Sequence, residues 1–160
     1  MSFRRFVLMP VVLLVGTAVS ALAQSGSSTF THTSSFGPVG LGSTETAQVN
    51  LLNTASASSS GTAASCTGTV AFTGATGAAI GSSTNFTVAS SEIVSVSLPF
   101  SKATTSGSRI EIVATITLTQ TSGTPCSLVT SFETFDTTSG ATDVYLSGGP
   151  TGGGPGPIGH

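Results

Sequence analysis

Tryptophan is absent, tyrosine occurs once, at Tyr145, and charged residues make up only 6% of the 160 positions. Each scarcity weighs against a class of function. A nucleic-acid binder needs a basic footprint to neutralise phosphates, and the 4 Lys and Arg residues do not make one. A saccharide platform of stacked rings has little to be built from when Tyr145 stands alone. Cysteine is limited to Cys66 and Cys126, neither in a C-x-x-C pair, while His32 and His160 lie at or beyond the rim of the candidate domain. A metal site therefore lacks ligands, and no cofactor is expected. No G-x-S-x-G elbow is present. Gly154, Gly156 and Gly159 match G-x-G-x-x-G only formally, since no strand precedes them and Pro155 and Pro157 forbid the helix that should follow.

What is present begins with "MSFRRF", "VLMPVVLLVGTAV" and "SALAQ": two positive charges, an apolar run and small residues. This is the three-part pattern of a secretory signal peptide over residues 1–23, with Ala21-Leu22-Ala23 as the cleavage site and Gln24 as the first mature residue. The competing reading is a transmembrane anchor, but the run falls short of the ~20 residues a span needs. No Cys follows the cleavage site to take a lipid, so no stable membrane anchor is expected after cleavage. Losing Arg4 and Arg5 leaves Lys102 and Arg109 against Glu45, Glu92, Glu111, Glu133, Asp136 and Asp143. Two cysteines in an exported chain read first as one disulfide, Cys66–Cys126.

Residues 24–36 form a polar arm whose alternation around Phe30 suits a strand if a sheet edge receives it. Residues 37–147 read as short runs of period two. In "ETAQVNLLN", Ala47, Val49 and Leu51 share a side; Val70 pairs with Phe72, Phe86 with Val88, and Val94 and Val96 with Leu98. In "SRIEIVATITLTQ" the inward set is Ile110, Ile112, Ala114, Ile116 and Leu118, with Arg109, Glu111, Thr115 and Thr117 outward. Ser and Thr fill roughly a third of the chain and suit solvent faces of strands. Gly, Ser, Thr and Pro clusters separate the runs, and no segment shows a helical period with caps. The pattern predicts an all-β fold, an antiparallel β-sandwich of immunoglobulin-like or Greek-key type with seven to eight strands, a small barrel being the alternative. The tail, residues 148–160, is rich in Gly and Pro and is expected to be disordered.

The stretch "ETFDTTSGATDVYL" raises the choice between a ligand site and a turn. Calcium needs several closely spaced oxygen ligands, and here Asp136 and Asp143 stand six uncharged residues apart. A turn needs what Asp136 and Gly140 offer: a side chain that bonds the backbone two residues on, and a residue that accepts positive φ. The expectation is a structural turn joining the last two strands.

"CTGTVAFTGATG", "SRIEIVATITL" and "CSLVTSFETFDTTSGATDVYL" together resemble a loose group of small exported bacterial proteins. Those proteins share a Cys before a V-x-F strand, an R-(V/I)-x-(V/I) strand and a closing LE-(V)-FD-x-x-(T/S)-G-x-T hairpin. The likeness covers residues 45–146 and keeps Glu133, Phe135 and Asp136 of the pattern. It implies an immunoglobulin-like sandwich and carries no activity with it.

The expected function is a non-enzymatic exported protein with a structural, adhesive or protein-interaction role and no catalytic residues. Its partner would be itself or another extracellular protein, met by β-strand pairing through the arm around "STFTHTSSF", unless that arm caps its own sheet. The alternatives are a carbohydrate- or small-ligand-binding module and, further off, a hydrolase using converging carboxylates such as Glu111 and Glu133. Arg109 and Glu111 read as a solvated pair, and Asn85-Phe86-Thr87 is a glycosylation sequon that matters only in a eukaryotic host. Mass spectrometry of the protein recovered from outside the cytoplasm should find an N-terminus at Gln24; a retained Met1 would overturn the signal-peptide reading.

Overall fold

A computed structural model describes residues 28–56, 65–103, 107–122 and 126–151, of which 149–151 are described for backbone alone. The expected signal peptide, residues 1–23, and the expected disordered tail beyond Thr151 lie outside the described residues. Nine strands are described: β1 (Thr29–Ser35), β2 (Val39–Gly42), β3 (Glu45–Asn53), β4 (Ser65–Gly74), β5 (Ala79–Ala89), β6 (Ile93–Pro99), β7 (Arg109–Thr121), β8 (Leu128–Asp136) and β9 (Thr142–Thr151). A single 3-10 turn, Phe100–Lys102, follows β6.

The strands form two antiparallel sheets. One runs β1-β7-β4-β5, with β2 taking over from β1 along the first residues of β7; the other runs β6-β3-β8-β9. Only β4–β5 and β8–β9 are neighbours in both sequence and sheet. The connections β2 to β3, β3 to β4, β5 to β6, β6 to β7 and β7 to β8 cross between sheets, the connectivity of a Greek-key sandwich.

Alternation in the sequence becomes two facing apolar layers. Ala47, Val49, Leu51, Leu128 and Phe132 come from one sheet; Leu41, Cys66, Val70, Val88, Ile112 and Ala114 from the other, all fully buried. Phe132 is the largest side chain wholly removed from water. Its ring centroid lies 6.4 Å from Phe72 across the gap and 5.6 Å from Phe36, between β1 and β2. Burying such rings is worth roughly 1.5–3 kcal/mol each, and the chain has no Trp to do it instead. Gly68 sits opposite Phe86, whose ring covers it; a Cβ there would approach the Thr117 carbonyl oxygen to 2.2 Å.

The sandwich is longer at both ends than the sequence indicates. The arm residues Thr29–Ser35 are strand β1, paired with β7 over their whole length, and the sandwich begins there rather than at residue 37. Strand β9 continues to Thr151 rather than stopping at 147. Val39 and Leu41 make β2 a core strand although "GPVGLGS" has the composition of a turn. These additions bring the count above the expected seven to eight. In each case a partner strand supplies ladder bonds that offset weak local β propensity.

Cys66, on β4, and Cys126, just before β8, are bonded, with Cα atoms 5.3 Å apart and a sequence separation of 60. Both are buried. Closing a loop of that length restricts the unfolded chain by roughly 4 kcal/mol in the chain-entropy account. Replacing both cysteines by Ala should lower the unfolding free energy by about that amount in chemical denaturation. Equal stability of the parent in oxidant and reductant would show that the bond contributes nothing.

Candidate functional site

The described residues offer chemistry in three places: the two ends of the sandwich and the outer face of the β6-β3-β8-β9 sheet.

At the first end, the turn between β8 and β9 is organised by Asp136. Its Oδ1 accepts hydrogen bonds from the backbone N–H of Thr138 (3.0 Å) and Ser139 (2.8 Å) and from the Ser139 hydroxyl (3.0 Å). The Asp136 N–H donates to the Ala141 carbonyl at 2.9 Å, and the Gly140 N–H donates to the Asp136 carbonyl at 2.8 Å. Gly140 has φ +72°, a conformation in which a Cβ is strained. Thr137 docks this turn on the one between β2 and β3, donating to the Thr44 carbonyl through its N–H (3.0 Å) and its hydroxyl (2.7 Å). The Ser139 N–H, with help from the Thr44 side chain, the Ser139 hydroxyl and the Thr138 N–H, lowers the Asp136 pKa from 3.8 to about 2. The Asp136 Oδ1 and main-chain carbonyl are thus engaged in shaping the turn. Among the described residues no three of His, Cys, Asp and Glu converge on a point.

At the other end, Asn53 closes the sandwich beside the disulfide. Its Nδ2 donates to the Val88 carbonyl of β5 at 3.1 Å, and its Oδ1 accepts from the Ala55 N–H at 3.0 Å. The Gln120 amide donates to the Cys126 carbonyl at 3.2 Å. Asn53 and Gln120 are both buried, so these bonds form in a medium that strengthens them. Their role is to seal the core; neither faces solvent or a ligand.

The third place is a surface that the sequence did not single out. Register aligns Ser97, Gln48, Glu133 and Tyr145 in one row across β6, β3, β8 and β9, and Ser95, Asn50, Ser131 and Ser147 in the next. The Glu133 Oε1 accepts from the Asn50 amide at 2.8 Å and the Gln48 amide at 3.2 Å. Gln48 also donates to the Asn50 Oδ1 at 2.9 Å, and the Ser95 and Ser97 hydroxyls donate to Asn50 and Gln48 at 2.6 and 3.0 Å. Among the described residues the Glu133 Oε2 meets only the Thr142 hydroxyl, which donates to it at 3.4 Å. Tyr145 is 61% exposed. A third row, Ile93, Leu52 and Val129, borders the polar rows with apolar side chains, Ile93 being 66% exposed. Alternation in "ETAQVNLLN" marks Gln48 and Asn50 as outward, but Glu133 lies some eighty positions away and joins them only through strand register.

Other candidates separate. Glu111 stands on the outer face of the β7 sheet and Glu133 on the outer face of the opposite one, so this pair of carboxylates does not converge. Arg109 turns to Glu111 itself, Nε to Oε1 at 3.5 Å, on an exposed surface where such a pair contributes at most about 1 kcal/mol. His32 is exposed on β1.

The Asp136 carboxyl titrates lower in the folded chain than in the unfolded one, so its contribution is complete above about pH 4 and disappears as pH falls toward 2. Asp136→Ala should melt below the parent at neutral pH, with the difference closing over that acid range, and calcium should shift neither. A calcium-dependent rise in the parent's melting temperature, or a gap that persists at pH 2, would contradict the turn reading.

Comparison with family models, with curated proteins and with solved structures finds no match to this chain.

Proposed function

We propose that the chain is an exported structural or adhesive protein that joins copies of itself by exchanging strand β1. One observation carries this reading. Strand β1 pairs with β7 at all seven positions, yet it contributes no buried side chain and only Ser34 is half-buried. Its hold is the backbone ladder, supplemented by hydroxyl contacts such as Ser35 to Thr115 at 3.0 Å. A second copy's β1 would offer β7 the same ladder bonds, so exchange between chains alters the bonding little. The strand reaches the body of the domain through Gly37-Pro38, where Gly37 is exposed and has no atom within 4 Å of a Cβ position.

Edge chemistry supports the same reading. Between Thr29 and Ser35 there is no Lys, Glu, Asp or Pro, the residues that usually blunt an edge. An open cleft of about 410 Å³ lies between Ser34–Gly37 and the Leu146–Gly148 stretch of β9, beside the uncovered side of the sandwich. The signal-like N-terminus, the Cys66–Cys126 bond and the resemblance to exported bacterial proteins support export. No helix among the described residues is long and apolar enough to cross a membrane.

Light scattering of the mature chain should reveal oligomers that grow with concentration. A chain lacking residues 24–35, which keeps the core ring of Phe36, should stay smaller, and a peptide of residues 27–35 should bind it and raise its melting temperature. The same peptide should break up oligomers of the full mature chain. A full chain that stays monomeric at millimolar concentration, or a truncated chain that fails to capture the peptide, would defeat the proposal.

A further inference from the structure

We infer that the outer face of the β6-β3-β8-β9 sheet is a binding surface for a neutral glycan chain. This does not depend on β1, which belongs to the other sheet. The argument starts from what the face is made of. Gln48 donates its amide hydrogens to Glu133 and to the Asn50 Oδ1, and Asn50 donates its own to Glu133 and, at a long 3.5 Å, to Ser131, so that the Glu133 carboxylate is held in place. Its Oε1 is thereby occupied, while Oε2, with one 3.4 Å contact, keeps acceptor capacity for a ligand's hydroxyls. Hydroxyl-to-carboxylate hydrogen bonds are charge-assisted and among the stronger polar contacts available.

Tyr145 is the direct cross-strand neighbour of Glu133, which sets their Cβ atoms roughly 5 Å apart. A sugar ring presents polar hydroxyls at its rim and C–H groups on its faces. A carboxylate beside an exposed phenol ring matches both surfaces of one sugar residue.

Charge selects among ligands. The two polar rows carry one carboxylate and no Lys or Arg. An anionic polymer would meet Glu133 without a compensating cation, and a cationic one would find a single opposing charge. A neutral polyhydroxylated chain needs neither. The four-strand rows span about 14 Å at ~4.8 Å per strand, the length of roughly three sugar rings, so the occupant is an oligosaccharide and not a single sugar.

The test is calorimetric titration of the full mature protein with cellohexaose, chitohexaose, laminarihexaose and mannohexaose. Binding of at least one is expected. Tyr145→Ala and Glu133→Gln should each weaken it by about tenfold or more while Tyr145→Ala leaves the melting temperature unchanged. Thr117→Ala, on the other sheet, should bind as the parent does. Absence of binding to all four glycans, or unaltered affinity in Tyr145→Ala, would overturn the inference. Oligomer growth of the full chain serves as a separate readout, so failure here is distinguishable from failure of strand exchange.

Discussion

Both sheets are organised around the need to fill the space between them with few large side chains. Facing sheets stand about 10 Å apart, and a chain without Trp must bridge that distance by other means. Phe132 does so from the centre of β8, with Phe72 reaching toward it from the opposite sheet and Phe36 closing from the side. Around this trio the layers are completed by Val, Ile, Leu and Ala, whose branched or short side chains interdigitate without long rotamers to order. The same economy explains Gly68, where a bare backbone leaves room for the Phe86 ring.

With the interior filled in this way, the ends of the sandwich are closed by polar chemistry. One end is tied covalently through Cys66–Cys126 and sealed by Asn53, which joins β3 to β5 across the sheets. The other is held by the Asp136 turn seated on Thr44. The remaining surfaces are edges and outer faces, and both proposals follow from that distribution: one uses backbone groups at an edge, the other uses side chains on a face.

The outer faces differ in kind. On the β7 sheet, Thr31, Thr119, Thr67 and Thr87 lie in one cross-strand row, repetitive and uncharged. On the other sheet the rows mix amides, hydroxyls, a carboxylate and the one tyrosine, linked by hydrogen bonds over three strands. A periodic hydroxyl surface suits exposure to water on a strand. A network that fixes a carboxylate is the more specific arrangement, because fixing it costs side-chain entropy that a plain solvated face would retain.

Period-two alternation was legible wherever a strand has one face in the core, as in Ile112, Ala114, Ile116 and Leu118, because burial acts on each side chain separately. The Asp136–Gly140 turn was legible for the same local reason, its bonds spanning two to five residues. Strand β2 was hidden by its two glycines, and β1 was legible only as a strand awaiting a sheet edge; both exist because β7 offers a ladder, a fact about another part of the chain. The sequence by itself determined an all-β chain with alternating faces, a cysteine pair and a closing turn. Only the tertiary structure decided which outward residues meet. Glu133 belongs with Gln48 and Asn50 and not with Glu111 because register and sheet order are collective properties of all the strands, set by fitting two layers around one core.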